Sequence, residues 1–181
     1  MRMETDDNAL ALAAGEGDRA AFAALIDRHY DRIFRFAWRL TGAADQAEDL
    51  AQDVSILLAR RIRQFRGDAK FTTWLYQVTL NAARDAGRRN ATRGKAMDRY
   101  AEDLDRSMAE DRDRATSAEW LQTALATLRD DWRETAALVV GEGLTQVEAG
   151  EALGISEGTV AWRMTEVKKA LTASAEAEAK I

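Results

Sequence analysis

The chain has 181 residues, 46% of them hydrophobic and 31% charged, with a formal net charge of −5. This length and apolar content suffice for one ordinary domain or two small ones with a buried core. The absence of proline argues against a β-rich fold with frequent tight turns, and the absence of cysteine excludes disulfides, zinc–thiolate sites and cysteine nucleophiles. The acidic N-terminus has only a brief apolar patch, so we expect neither a signal peptide nor a membrane anchor, and a cytoplasmic location.

Apolar residues recur at helical spacing along most of the chain, which predicts an all-α fold. The first predicted helix covers residues 20–40 and stops at Thr41-Gly42. A second predicted helix begins at about Asp45 and carries an acidic outer face. The sequence FRGD at residues 65–68 then predicts a loop, and a third long helix follows it.

Between the third predicted helix and Trp120 the sequence lacks apolar periodicity and is rich in Asp and Glu. Such composition is typical of a flexible, solvated linker. Helical periodicity returns at Trp120. We therefore predict two small helical domains, at 20–96 and 120–171, with an N-terminal extension at 1–19, an acidic linker at 97–119 and a tail at 172–181.

Positive charge is concentrated in one part of this acidic chain. Residues 61–95 contain nine basic residues and two acidic ones. The net charge argues against unaided nucleic-acid binding, because such binding draws most of its affinity from phosphate neutralisation. Within the basic part, KFTTWLYQVTLNAARDAGRR places Trp74 at the border between an apolar stripe and a polar, basic side of the helix. Trp74 is either a stacking surface for a base or a core residue, and the sequence leaves both interpretations open.

A second motif lies near the C-terminus. Thr145 with Glu148 forms a capping box, Gly154 provides a sharp helix exit, and Ser156 caps the next helix, which together predict a helix-turn-helix. Its second helix suits a DNA major groove, with Arg163 reading guanine or binding phosphate. An ordinary helical hairpin uses the same caps, so this motif alone leaves DNA binding open.

The order of these features is more specific than any one of them. An acidic helix DQAEDLAQDV, the loop FRGDAKF, the helix FTTWLYQVTLNAARDAGRR, a charged linker and a helix-turn-helix containing GISEGTVAWRM resemble a bacterial RNA polymerase sigma factor of the extracytoplasmic-function group. The resemblance covers about residues 20–171. It implies that 20–96 corresponds to sigma domain 2 and 120–171 to sigma domain 4.

The resemblance also implies roles for individual residues. The residues implied to dock on the coiled coil of the largest polymerase subunit are Asp45, Glu48, Asp49, Gln52 and Asp53. Those implied to recognise and melt the promoter −10 element are Phe65, Lys70, Phe71, Trp74, Gln77, Asn81, Arg84, Arg88 and Arg89. Those implied to bind the −35 element are Ser156, Glu157, Thr159, Trp162, Arg163 and Lys169. The implied partners are core RNA polymerase, including its flap region, promoter DNA and an anti-sigma factor, with no membrane insertion and no cofactor.

Some positions depart from the family pattern. Ser55 and Leu58 stand where bulkier side chains are common, Arg129 replaces a frequent proline, and Leu75 replaces the second member of an aromatic pair found in primary relatives. The last change implies weaker melting and a stricter promoter requirement. Trp162 is outward in the predicted helix, where it either anchors an anti-sigma protein or packs against a neighbouring helix.

Two rival functions remain to be compared. A free-standing helix-turn-helix regulator would bind its promoter appreciably without polymerase. An enzyme is not indicated, because the single histidine, His29, has no accompanying carboxylate constellation and the sequence has no Gly-rich phosphate loop or metal-ligand spacing. If the chain is a sigma factor, as the resemblance implies, the polymerase performs the phosphodiester chemistry.

Overall fold

A computed structural model describes residues 6–94 and 123–178, and their secondary structure is helical. The α-helices are α1 Asp7–Gly15, α2 Arg19–Thr41, α3 Ala44–Arg61, α4 Phe71–Gly94, α5 Asp130–Ala136, α6 Gln146–Leu153 and α7 Glu157–Glu178. A 3-10 turn, Ile62–Gln64, follows α3, and a π-helical turn, Ala137–Gly141, continues α5. No strand occurs within the two described ranges, and the all-α prediction is confirmed.

Local sequence signals account for both ends of α2. Asp18 caps α2 by accepting hydrogen bonds from the backbone N–H groups of Ala20 (2.9 Å) and Ala21 (3.0 Å). The helix ends at Gly42, whose φ of +80° suits a residue without a side chain. Two features differ from expectation: α1 forms within the predicted N-terminal extension, and α7 continues to Glu178, into the predicted tail. The predicted linker at 97–119 lies outside the described residues.

The helices α1 to α4 surround one hydrophobic core. Its most deeply buried large side chains include Leu25, Ile33, Val54, Leu58 and Leu75, each at most 2% exposed. Burial of a side chain of this size contributes about 1.5–3 kcal/mol. This core holds α3 and α4 side by side, which places the acidic face of one beside the basic side of the other.

A second core joins the N-terminal helices to the helix-turn-helix. Phe36, Leu40, Tyr76 and Leu80 of α2 and α4 pack with Leu138, Leu153, Val160 and Met164 from the C-terminal helices. Phe36 and Tyr76 meet edge to face, with ring centroids 5.0 Å apart. Because apolar residues of the π-helical turn, α6 and α7 share this core, the C-terminal helices lie directly against α2 and α4.

The helix-turn-helix has the predicted local chemistry. The Thr145 hydroxyl accepts from the Glu148 N–H, the Glu148 carboxylate accepts from the Thr145 N–H, and Gly154 has a φ of +70°. Ser156 accepts from the Thr159 N–H at 3.2 Å and so caps α7. The capping box, the glycine exit and the second cap are each confirmed.

Candidate nucleic-acid and polymerase interface

The polar side of α4 is continuous along the helix. Gln77, Asn81, Arg84 and Arg88 follow one another at intervals of four, three and four residues, which places them along one side. Gln77, Asn81 and Arg88 are exposed and Arg84 is half-buried. Of the remaining residues predicted for the −10 element, Lys70 and Arg89 are also exposed. The structure thus brings amide and basic groups together on one elongated surface.

The aromatic residues predicted for the −10 element form a cluster beneath this surface. The Trp74 ring centroid lies 5.6 Å from that of Phe65 and 6.0 Å from that of Phe71. Trp74 is half-buried, so it has both a core contact and an accessible part. Phe65 (7% exposed) and Phe71 (2% exposed) are buried, and in this form their rings pack against Trp74; that they take part in −10 binding stays a prediction.

Two of the basic residues are paired with carboxylates from the C-terminal helices. Arg84 donates through Nε and NH2 to the two carboxylate oxygens of Glu134, at 2.7 and 2.6 Å. Lys70 Nζ donates to Glu148 Oε1 at 2.5 Å. The Lys70 bond, followed by the bonds from Thr145, lowers the pKa of Glu148 to about 2. A bidentate guanidinium–carboxylate pair has strict geometry, whereas the exposed lysine pair is a weak tether.

A further carboxylate joins the two sets of helices at a buried position. Glu142 accepts a hydrogen bond from the Tyr76 hydroxyl at 2.6 Å and forms an ion pair with Arg39. Burial, with a smaller effect of Glu142, raises the pKa of Tyr76 well above its usual range, so the hydroxyl stays protonated and donates. Arg133 adds a bond from NH1 to the Leu40 carbonyl oxygen at 3.3 Å. These contacts link residues about 60 to 100 positions apart and have no local sequence signal.

The acidic face of α3 is open to solvent. All five residues predicted to dock on polymerase are exposed: Asp45, Glu48, Asp49, Gln52 and Asp53. Asp53 lies 3.8 Å from Arg89, and Ile56, one turn further, is 54% exposed. A cleft of about 720 Å³ separates this face from the end of α4 and α5, with Asp49, Arg88 and Glu134 among its lining residues. The acidic surface is therefore accessible while the neighbouring basic surface is partly covered.

The outward surface of the helix-turn-helix differs from the prediction at one important position. Ser156, Glu157, Trp162 and Lys169 are exposed and Thr159 is half-buried. Arg163 turns inward: its NH1 lies 3.3 Å from the Asp131 carbonyl oxygen, and its side chain is only 16% exposed. The outward placement expected of Arg163 is not found in this form, because its guanidinium ties α7 to α5, and its role at the −35 element stays a prediction.

The part of the chain that the structure describes contains neither a group of three or more His, Asp and Glu side chains placed to hold a metal ion nor a helix long and apolar enough to cross a membrane.

Comparison with known proteins gives consistent results. The family described as Sigma-70 region 2 matches residues 25–93. ECF RNA polymerase sigma factor SigE of Mycolicibacterium smegmatis is 36% identical over 82% of this chain and 60% of its own length. ECF RNA polymerase sigma factor SigW of Bacillus subtilis is 30% identical over 86% of this chain and 89% of its own length. SigM of Mycobacterium tuberculosis, with the same family description, is 30% identical over 94% and 85%.

Two solved structures are similar to the whole arrangement. CnrH, in complex with the cytosolic domain of CnrY, has a TM-score of 0.72 and 26% identity, and the match covers 94% of this chain and 97% of that one. RpoE of Bartonella quintana, in complex with the anti-sigma factor NepR, has a TM-score of 0.69 and 20% identity over 84% and 94%, a likeness of fold.

Proposed function

We propose, since this chain belongs to the ECF RNA polymerase sigma factors, that α4 recognises and opens the promoter −10 element while α6 and α7 bind the −35 element. The observation that carries this proposal is the polar side of α4 with the half-buried Trp74 at its border. Single-stranded DNA needs that mixture, because positive charge follows the backbone and an aromatic face replaces lost base stacking. The polymerase performs the phosphodiester chemistry, and this subunit provides recognition and melting.

Docking on core polymerase is the second part of the proposal. The five exposed polar residues of α3 form an acidic strip that complements a basic coiled coil. Complementary charge of this kind fixes orientation and speeds association. Because the partner is core RNA polymerase, the protein acts in the cytoplasm.

The two sets of helices pack together in a closed form, and we infer that this form does not engage both promoter elements. The −10 and −35 elements are about 25 base pairs apart, which is roughly 85 Å of duplex. The helix-turn-helix shares a hydrophobic core with α2 and α4. Glu134 forms an ion pair with Arg84, one of the residues predicted to contact the −10 element. The two sets of helices must therefore separate before both elements are bound.

An anti-sigma protein is the inhibitory partner we propose. Supporting this, CnrH, whose fold covers nearly the whole chain, was solved with the cytosolic domain of a second protein, CnrY. A partner that holds the closed form keeps Arg84 and Lys70 paired with carboxylates. The net charge of −5 agrees with a subunit that relies on polymerase for most of its DNA affinity.

The melting role is tested by changing α4. Asn81→Ala with Arg84→Ala should leave polymerase binding intact and reduce permanganate reactivity of the −10 thymines. Gln64→Ala with Arg35→Ala is the control, since it removes one amide and one guanidinium at exposed positions outside the polar side of α4. Asn81→Ala alone leaves the Arg84–Glu134 pair untouched and should show part of the loss. Normal reactivity in the double variant would defeat the melting role.

The docking role is tested by Asp49→Arg with Gln52→Ala. Both residues are exposed, so the fold should survive while co-purification with core polymerase is lost. Asp27→Arg, an exposed change on α2, is the control for altered net charge. Unchanged co-purification of the α3 variant would remove the docking proposal. A free-standing regulator, by contrast, would bind its promoter at moderate salt without any polymerase.

A further inference from the structure

The helix α1 lies along the whole segment that leads from α3 into α4. A Cβ added to Gly15 would meet the Ile62 carbonyl oxygen at 3.3 Å, and one added to Gly67 would meet Leu12 Cδ1 at 3.7 Å. Asn8 reaches the far end of the same segment. Because Asn8, Leu12 and Gly15 are four and three residues apart, they share one side of α1. One helix face thus follows the loop at residues 65–70 from end to end.

Asn8 makes the most directional of these contacts. Its Oδ1 accepts from the Phe71 backbone N–H at 2.7 Å, and its Nδ2 donates to the Ala69 carbonyl oxygen at 3.1 Å. Phe71 is the first residue of α4, so its N–H has no acceptor within the helix. The single side-chain amide of Asn8 therefore accepts the free N–H at the start of α4 and donates to the carbonyl at the end of the loop. Only a side chain with both a donor and an acceptor can make these two bonds.

The neighbouring residue fixes α1 itself. Asp7 Oδ2 lies 2.9 Å from Nε2 of the buried His29, and Asp7 Oδ1 accepts from Arg28 NH1 at 2.5 Å. The His29 ring also contacts Phe71, with centroids 5.4 Å apart. These bonds hold the first turn of α1 against α2, so the Asn8 amide has a rigid support.

The loop held in this way points its side chains outward. Arg66, Asp68 and Lys70 are exposed, whereas Phe65 and Phe71 at its two ends are buried. A backbone fixed at several points with exposed side chains is preorganised for binding, because little conformational entropy is lost when a ligand arrives.

We propose that Asn8 is a positioning residue for −10 recognition: through Ala69 and Phe71 it presets the loop at residues 65–70 and the start of α4. This inference rests on the proposed −10 role of α4 and on the resemblance that assigns Phe65, Lys70 and Phe71, at the ends of this loop, to the same element. It extends that role to α1, which lies outside the matched residues 25–93.

The test measures open-complex formation by holoenzyme containing the full chain, on its promoter and on variants with each −10 base replaced. Asn8→Ala should lower discrimination among the −10 variants about 5- to 10-fold, the lower end of the range for two lost hydrogen bonds, because Leu12 and Gly15 still contact the segment. Asn8→Asp should lose less, because it still accepts from Phe71 and only the donor to Ala69 is lost. Glu16→Ala, an exposed change just after the end of the same helix, should discriminate like the unaltered protein.

Polymerase affinity and discrimination at the −35 element separate positioning from general loss of structure. Both should be unchanged in Asn8→Ala, and a parallel fall in either would overturn the inference. Arg66→Ala and Lys70→Ala test the loop directly. If these lower −10 discrimination and Asn8→Ala does not, the positioning role is wrong while the proposed function stands. If neither loop variant changes discrimination, the role of the loop and the role of Asn8 are overturned together.

Discussion

At the residue scale, Glu142 joins the two sets of helices through two polar contacts. Its side chain is 8% exposed and receives both the Tyr76 hydroxyl and the Arg39 guanidinium. Glu142→Gln should lower the free energy of unfolding by about 1–3 kcal/mol, because a neutral amide leaves a buried polar group poorly paired. Urea unfolding measures this, with Glu16→Gln at an exposed site as the control. Equal midpoints for the two variants would contradict the assigned role.

His29 makes the stability of the folded protein depend on pH. Burial lowers its pKa below the usual 6.5 and outweighs the opposite effect of Asp7. Arg28 and Arg32 also face the ring and act in the same direction as burial. The folded state therefore favours neutral histidine, and its contribution to stability is complete above pH 6.5 and is lost as pH falls through the lower, folded-state pKa.

The variant that tests this pH effect is His29→Gln, whose neutral side-chain amide can still donate a hydrogen bond to Asp7. We expect the melting temperature of the unaltered protein to fall more between pH 7 and pH 5 than that of the variant. Carboxylates titrate in both proteins, so the difference between the two curves isolates His29. A steeper fall in the variant would show that the charged form is the one the fold prefers.

At the scale of elements, the helix-turn-helix depends on one close approach. A Cβ at Gly150 would lie 2.8 Å from the Ile155 carbonyl oxygen, whereas one at Gly158 would have nothing nearer than 4.0 Å. Gly150→Ala should destabilise the protein by about 1–3 kcal/mol, because backbone must move. Gly158→Ala should stabilise it by up to about 1 kcal/mol, because it lowers the entropy of the unfolded chain. Thermal unfolding of the pair tests this, and equal effects would contradict it.

The elements differ in how far their sequence predicts them. The sequence predicts α2 to α4 and the helix-turn-helix because their signals are local. These signals are apolar periodicity, the helix-ending Gly42 and Gly154, and capping pairs such as Thr145 with Glu148, which lie within four residues of each other. The helix α1 was missed because its short sequence, DNALALAAG, consists largely of small and apolar residues and has too little contrast between faces for a helical pattern to stand out. Such a helix is recognised only by what it packs against.

The site was predicted unevenly for the same reason. Side chains on one side of α4 follow from helix geometry, so Gln77, Asn81 and Arg88 are exposed as expected. The pairing of Arg84 with Glu134 and the inward turn of Arg163 depend on tertiary contacts 50 and about 30 residues away along the chain. Local periodicity contains no information on such contacts.

At the scale of the whole molecule, we expect the closed form to open on polymerase. The chain has no cysteine, so Ala23→Cys and Lys168→Cys, both exposed, allow selective labelling of α2 and α7. Energy transfer between the labels should be high in the free protein and should fall when core polymerase is added. Glu142→Gln should lower it in the free protein as well. Unchanged transfer on polymerase would show that the two sets of helices stay packed together.

The central claim is that this chain gives core RNA polymerase its promoter choice. The most direct measurement is transcription by purified core polymerase, with and without the protein, on pooled fragments of the source genome. We predict discrete start sites that appear only with the protein and share upstream −10 and −35 sequences. No new start sites, together with no binding of the protein to core polymerase after any inhibitor is removed, would contradict the account.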